Sequence, residues 1–510
     1  MIYTGDISAT GKALPVRIHF APTPGVCQDA PLNEQDSIMS VEDRDFVAVV
    51  MAAGYGTRMK SKMPKVIHEV LGVPMTGYVL RAAKQAGCSR AVLVLSEKGE
   101  AIFKTLAATV DSFPVEWATQ EVPRGTGDAV RSALPALGEE DVAIIINGDL
   151  PSIESDAIAT LIQHWEPNSL LVGTARLEDP TGYGRIIRGI DGSPVDIREH
   201  KDCAPHELRN PEVNLGIYAV GASILRNHLP RLESNNAQGE YYLTDLVKLA
   251  VADHIKTKAI VFSDYKDLMG VNDRVHLAEA QERLRLRVLR KHMRNGVTIE
   301  DPKRVLIESG IEIGADTIIE AGVSIRGNSR IGSDCHIAQG SVLTDTILGD
   351  RVTVKPYSVM EKAELENQTQ AGPFARLRPG TIMREGSAVG NFVEMKKTDF
   401  GPGSKAGHLS YLGDAQIGKG VNVGAGTITC NYDGTHKHKT ILHDGVFVGS
   451  DTQFVAPVTV GEKGYVGAGT TVTQDVPAGA LAVSRTQQEN KEGWVARKAE
   501  RVAAKNEEKS

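Results

Sequence analysis

Two groups of residues in this 510-residue chain have types and spacing that could do chemistry. The first is MAAGYGTRM, Met51 to Met59, followed shortly by MPK, Met63 to Lys65. Gly54 and Gly56 let backbone N–H groups approach phosphate oxygens without a Cβ in the way, and Arg58 and Lys65 supply cations that can neutralise a triphosphate. A helix following the turn would add its positive end. A glycine-rich turn alone is a weak signal, since tight corners use the same residues; this one follows the apolar run FVAVVMAA. The second group is a set of polar stretches, GPFARLRPG (372–380), NFVEMKK (391–397), GSKAGHLSYLGD (403–414) and NYDGTHKHK (431–439), which interrupt a repetitive half of the chain. Within them His408 has the chemistry of a general base, because a neutral imidazole can take a proton from an attacking amine near physiological pH. Arg378 and Lys396 are suited by charge to a phosphate.

The elements that must position these groups follow from periodicity. Short apolar runs at Phe46, Val92–Leu95 and Val142–Ile146 alternate with helix-like stretches, which predicts a mostly parallel sheet covered on both faces, an α/β domain over 45–272. Leu277, Ala280, Leu284, Val288 and Leu289 fall near helical spacing and a glycine stands at 296, so 273–296 reads as one long linker helix. From there the period is six. Ile313, Ile319, Ile325, Ile331, Ile337 and Leu343 are in phase, as are Leu442, Val448, Phe454, Val460, Val466 and Val472. Such a period cannot make a helix stripe and predicts a parallel β-helix of hexapeptide repeats over 297–486. Residues 1–44 lack periodicity and read as a disordered extension, and 487–510 as a flexible tail.

Composition limits the partners. With 41% hydrophobic and 24% charged residues and a formal charge of −7, the chain has a globular balance and no basic surplus for nucleic acid. Cys27, Cys88, Cys203, Cys335 and Cys430 are odd in number and widely spaced, with no zinc-type cluster, which fits a reducing cytoplasmic compartment. The start of the chain shows no export or transit pattern, and no apolar run has the length of a membrane span.

MAAGYGTRM…PK is similar to the LAAGxGTRM…PK consensus of sugar-nucleotide pyrophosphorylases. NGDLP, DPTGYGRI, EHKD, NAQGEYYLTD and GVNDR extend the likeness. Over about 46–494 the chain resembles the family of bifunctional bacterial N-acetylglucosamine-1-phosphate uridyltransferases/glucosamine-1-phosphate N-acetyltransferases. The resemblance implies a Rossmann-like nucleotidyltransferase domain joined to a left-handed β-helix, UTP and acetyl-CoA as co-substrates, Mg²⁺, and a homotrimer. It implies acetylation of glucosamine 1-phosphate, followed by transfer of UMP from UTP to the product with release of pyrophosphate.

Carried over residue by residue, the resemblance gives Arg58 and Lys65 to the triphosphate, with Ala53, Gly54 and Gly56 around it. It gives Gln120, Gly125 and Thr126 to uracil, Asp149 and Asn272 to the metal, and Gly184, Glu199 and Asn214 to the amino-sugar phosphate. In the second half it implies His408 as base, Arg378, Lys396, Tyr411 and Asn422 for glucosamine 1-phosphate, and Asn431, Tyr432, Ser450, Ala468 and Arg485 for acetyl-CoA, with Asn431 or nearby amides as an oxyanion contact. Structural roles compete with some of these. Asp149 at a strand end could cap a helix, Asn272 could cap the linker helix, and Glu199 with Lys201 could form an exposed charge cluster. Two positions depart from the commoner pattern: Arg124 stands where leucine often precedes Gly-Thr-Gly, and Asp128 where histidine is frequent.

Overall fold

A computed structural model describes residues 44–54, 56–97, 99–484 and 487–507. Residues 1–43, where an extension is expected, therefore lie outside the described residues.

The first half is built on a twisted sheet whose main path runs Lys256–Val261, Ser169–Arg176, Glu212–Gly221, Val142–Asn147, Phe46–Met51, Arg90–Ser96, Val115–Gln120. Phe46–Met51 is central and parallel to both neighbours, and Glu212–Gly221 runs antiparallel to both of its partners on that path. Alternate side chains of the central strand feed two cores: Phe46, Ala48 and Val50 on one face, Val47 and Val49 on the other. That two-sided burial is why the strand reads as an unbroken apolar run. From the central strand the chain moves to one side, through Arg90–Ser96 and Val115–Gln120, then returns to pair Val142–Asn147 on the other. The crevice at the carboxyl ends of two strands flanking such a reversal is where open α/β sheets bind ligands.

The linker helix spans Arg274–Arg294 and starts at Asp273, whose carboxylate accepts from the N–H groups of Val275 and His276. It ties the two halves together by two arginines. Arg287 donates to the Ser152 carbonyl at 3.1 Å and pairs with Glu154 and Asp267 on the sheet side. Arg285, buried, pairs with Glu282 and donates to the Val305 carbonyl at 2.9 Å on the solenoid side. Burying the guanidinium is tolerated because nearly all its donors find acceptors.

The second half winds into a three-sided parallel β-helix, its faces made by stacks that begin at Thr298–Ile299, Leu306–Ile307 and Glu312–Ile313. Both six-residue registers point inward, in one continuous aliphatic core. Some buried corner hydroxyls donate to carbonyls one coil on: Thr317 to Gly332 at 2.9 Å, Thr398 to Leu412 at 2.8 Å, Ser404 to Gly418 at 2.7 Å.

Three of the four polar stretches expected to interrupt the repeat do not. Arg376–Leu377, Glu394–Lys396, Lys405–His408 and Tyr411–Gly413 are ordinary coil strands in register. Only outward positions changed there, and those are free to carry any side chain. The fourth stretch does leave the coil. Lys405 pairs with Asn422, a step of 17 residues, but Asn422 pairs with Phe447, a step of 25, and the excess is taken up by the loop around 431–439. The tail, expected to be flexible, carries a helix over Trp494–Glu507 whose described side chains are exposed. No helix among the described residues is long and apolar enough to cross a membrane.

Candidate active sites

A cleft of about 450 Å³ opens where the chain leaves Phe46–Met51 and Val142–Asn147 at their carboxyl ends. Ala53, Gly54, Gly56, Arg58, Lys65, Gln120, Gly125, Thr126, Asp149 and Asn272 all line it. The helix expected directly after the glycine turn is not there. Only a three-residue 3-10 turn, Thr57–Met59, follows, bounded by left-handed backbone at Gly56 and Lys60, and the first α-helix starts at Met75. Positive charge at this end of the cleft therefore comes from side chains instead of a helix terminus. A Cβ on Gly56 would lie 2.4 Å from that of Lys65, so glycine at 56 lets the lysine stem pass.

Lys65 Nζ pairs with Asp149 Oδ2 and lies 3.3 Å from Asn272 Oδ1, and Arg58 Nη2 donates to the same Asn272 oxygen at 2.9 Å. Two cations from one segment and two hard oxygen donors from distant points in the sequence thus converge. The capping alternatives fail. Asp273, not Asn272, caps the linker helix, and the helix after Asp149 begins only at Ser155, beyond Glu154.

At the other end of the cleft, the segment Arg124–Gly127 is laced to Tyr241–Leu243. Tyr241 donates its N–H to the Arg124 carbonyl at 2.8 Å, Gly127 donates to the Tyr241 carbonyl at 2.8 Å, and Leu243 donates to the Thr126 hydroxyl at 3.0 Å. Gly125 has φ 117, and a Cβ there would sit 2.5 Å from the Tyr241 carbonyl oxygen, so only glycine permits this lacing. The two unusual residues answer each other: Arg124 lies 3.2 Å from the buried carboxylate of Asp128, and Arg131 2.7 Å from it.

Gly184, Glu199 and Asn214 gather outside this lining. Asn214 donates its N–H to the Gly184 carbonyl at 2.9 Å, and a Cβ on Gly184 would come 3.4 Å from Glu199 Oε1. The group joins the cleft through Gly216, which hydrogen-bonds Asn214 and packs on Asn147, a cleft residue that sequence reading missed. Glu199 is no exposed charge. Burial pushes its carboxyl above the usual range, Asp202, Asp245 and Glu240 add to this, and the Thr244 hydroxyl, donating at 3.2 Å, opposes it. Lys201, its neighbour, is exposed and bonds Gln238.

On the solenoid, His408 ends the strand Lys405–His408 and stands one coil above Asn391, its register partner. His408 Nδ1 is 2.8 Å from Asn391 Oδ1. An amide oxygen only accepts, so Nδ1 carries the hydrogen and Nε2 keeps its lone pair. Around the corner at Leu409 and Ser410, the adjoining face carries Arg378, Lys396 and Tyr411. Arg378 donates to Glu394 at 2.7 Å, and the Tyr411 ring lies over Gly413. Asn422, exposed, belongs to the His408 face, where its register partner is Lys405.

Sequence reading missed a third cation here. Lys437, from the loop that leaves the coil, sits beside Lys396, and its proximity, then burial and the Arg378 charge, hold the Lys396 ammonium below its ordinary value. The loop's departure from the repeat was its only signal. Asn431 closes that loop: its side-chain amide donates to Asp414 at 2.5 Å, its N–H donates to Thr429, and its carbonyl accepts from His438. One hydrogen of the side-chain amide and the backbone N–H are thus engaged within the fold, and the second amide hydrogen is left to donate elsewhere. Tyr432 is exposed, with its hydroxyl on the Gly434 carbonyl. Ser450 and Ala468 are exposed on successive coils, where a Cβ on Gly449 would meet the Ala468 nitrogen at 2.4 Å. Arg485 lies outside the described residues.

Comparison with known proteins agrees with this two-part layout. A MobA-like NTP transferase domain matches residues 48–212, bacterial transferase hexapeptide repeats match 310–345, and a hexapeptide repeat of succinyl-transferase matches 440–474. Relatives extend across both halves. The bifunctional protein GlmU of Trichlorobacter lovleyi is 47% identical over 88% of this chain and 98% of its own. That of Geobacter sulfurreducens is 45% identical over 89% and 99%, and that of Caldanaerobacter subterraneus subsp. tengcongensis 43% over 88% and 98%. With a nucleotidyltransferase sheet, a left-handed hexapeptide β-helix and this identity along nearly the whole length of its relatives, the chain belongs to the GlmU family of bifunctional enzymes.

Proposed function

We propose that the chain makes UDP-N-acetylglucosamine in two steps, with acetyl transfer on the solenoid (297–486) and uridylyl transfer in the sheet domain (45–272). Acetyl-CoA and glucosamine 1-phosphate are the substrates of the first step, and UTP and N-acetylglucosamine 1-phosphate those of the second. The observation that carries the reading is the convergence of Lys65 and Arg58 on Asp149 and Asn272, in a chain whose other half presents an oriented histidine and, on the adjoining face, three cations.

In uridylyl transfer an oxygen of the sugar phosphate attacks the α-phosphorus of UTP in line and pyrophosphate leaves, so the protein's task is positioning and charge neutralisation. Arg58 and Lys65 exchange their amide and carboxylate partners for the triphosphate oxygens as it enters. Asp149 and Asn272 would hold Mg²⁺. Their oxygens are hard donors that already converge on one ammonium, and a single carboxylate suits an ion that keeps waters and takes substrate phosphates as ligands. When bound, the ion neutralises phosphate charge. Glu199 and Asn214 hold the sugar, with Gly184 leaving room for it.

In acetyl transfer Arg378, Lys396 and Lys437 bind the sugar phosphate, and His408 Nε2 takes the amine proton as the nitrogen attacks the thioester carbonyl and CoA leaves. Ser450, Ala468 and Tyr432 flank the path of acetyl-CoA. Homotrimeric assembly is supported by an apolar ladder along one solenoid corner. Tyr357, Phe374 and Phe392 are about half exposed and stacked 5.4 Å apart, with exposed Leu409 on the following coil. The four described cysteines are free thiols, which supports a cytoplasmic site of action.

One preparation tests the reading. Pyrophosphate release from UTP with N-acetylglucosamine 1-phosphate should require Mg²⁺, and CoA release should require glucosamine 1-phosphate. Absence of either activity would contradict it.

A further inference from the structure

The two residues that depart from the family's commoner pattern lie beside Gln120, a carboxamide side chain at the Gly125–Thr126 end of the cleft. Gln120 is 3% exposed yet lines the cleft, so its amide has one orientation to choose and little room to change it. Its Nε2 donates to Asp128 Oδ2 at 2.9 Å and to the Gly125 carbonyl at 3.2 Å. Both hydrogens of the amide nitrogen are thereby used, and both partners are acceptors that reject the flipped amide. Its Oε1 receives no hydrogen bond from the described residues and is not among their buried, unpartnered polar atoms.

Asp128 is itself held. It is 5% exposed, in the first turn of the helix Thr126–Ala133, where a negative charge is favoured. Arg131 donates to its Oδ1 at 2.7 Å and Arg124 to the same oxygen at 3.2 Å, and both guanidinium groups lie over the Tyr241 ring. Burial pushes this carboxyl up, but the Gln120 and Arg131 hydrogen bonds and the two arginine charges more than offset that and hold it below its ordinary value. A carboxylate so held accepts and does not donate, which is what fixes the neighbouring amide.

We propose that Asp128, braced by Arg124 and Arg131, is a positioning residue for base selection: it locks Gln120 so that Oε1 is the atom offered to the base. This deepens the reading of the cleft as a nucleotide site and rests on it. An acceptor at that point suits a pyrimidine with an imino N–H, uracil or thymine. It faces cytosine with a ring nitrogen that is also an acceptor, leaving two lone pairs opposed.

The test is kcat/KM for UTP and CTP in the full chain and its Asp128→Ala, Asp128→Asn and Gln120→Ala variants, with acetyl transfer on the same preparations as the measure of intact fold. The lock predicts that Asp128→Ala lowers the UTP/CTP ratio about tenfold, because the freed amide can turn its nitrogen to the base. The isosteric Asp128→Asn, which can present a donor and loses the arginine brace, lowers it less, about threefold. A role in folding alone would lower both nucleotides together. If Asp128→Ala does not yield folded protein, Asp128→Asn decides: a lower ratio supports the lock and an unchanged one overturns it. If both Asp128 variants keep the ratio while Gln120→Ala lowers it, the lock is wrong and the base site stands. If Gln120→Ala also keeps the ratio, the base is not read at this end of the cleft.

Discussion

His408 and Asn391 meet across adjacent coils, ring nitrogen to amide oxygen at 2.8 Å, although 17 residues separate them in the chain. The contact fixes which imidazole nitrogen is free. Asn391→Ala should reduce kcat for acetyl transfer about tenfold, less than the loss of roughly a hundredfold or more expected on removing a general base. Asn391→Asp should instead place a carboxylate beside the ring, favour the imidazolium and move the acid limb of the kcat/KM profile to higher pH. Steady-state CoA release between pH 5 and 9 reads both effects, and an unshifted profile in Asn391→Asp would count against the orienting contact.

Lys437 should act in binding rather than in proton transfer. Truncating it to alanine removes one charge-assisted contact to the sugar phosphate, so KM for glucosamine 1-phosphate should rise about tenfold with kcat little changed. KM for acetyl-CoA serves as the internal control. A fall in kcat without a change in KM would place Lys437 elsewhere in the mechanism.

Glu199 carries a pH dependence whose sign follows from its surroundings. Its folded-state carboxyl is raised, first by burial, so its contribution to stability is full below the unfolded value and is lost as pH rises through the folded one. Ionised Glu199 therefore costs some stability at neutral pH, and the proposed role has it accept hydrogen bonds from sugar hydroxyls there. KM for N-acetylglucosamine 1-phosphate should climb on the acid side at a pH above the ordinary glutamate range, and Glu199→Gln should flatten that dependence while raising KM at neutral pH. KM for UTP should not follow.

Gly125→Ala should damage uridylyl transfer alone. The added methyl meets the Tyr241 backbone and requires a left-handed φ, so the lacing that shapes the base end of the cleft must open. Pyrophosphate release should fall by an order of magnitude or more while CoA release persists. Equal activity in wild type and variant would show that the lacing is dispensable.

Much of this was legible in the sequence because period reports burial. The alternation of apolar runs and the six-residue phase of Ile319 or Phe454 record which side chains point inward, and both sets are buried. Outward residues obey no such rule. The stretches around Arg378 and His408 looked like breaks in the repeat, yet the backbone there is regular coil and only the loop around 431–439 departs. Asn391 escaped notice for the same reason: its importance lies in His408 one coil away, and no local pattern records that. Lys437 had only its loop's departure from the repeat to mark it. The helix expected after Gly56 failed because Gly56 and Lys60 both adopt left-handed backbone, which stops the turn after three residues.

The central claim is that two independent chemistries share this chain, and a crossed pair of variants tests it most directly. His408→Ala and Asp149→Asn would each be assayed for both CoA release and Mg²⁺-dependent pyrophosphate release. His408→Ala should lose acetyl transfer by a hundredfold or more and keep uridylyl transfer, and Asp149→Asn should show the reverse. Near-normal CoA release from His408→Ala, or loss of both activities in either folded variant, would contradict it.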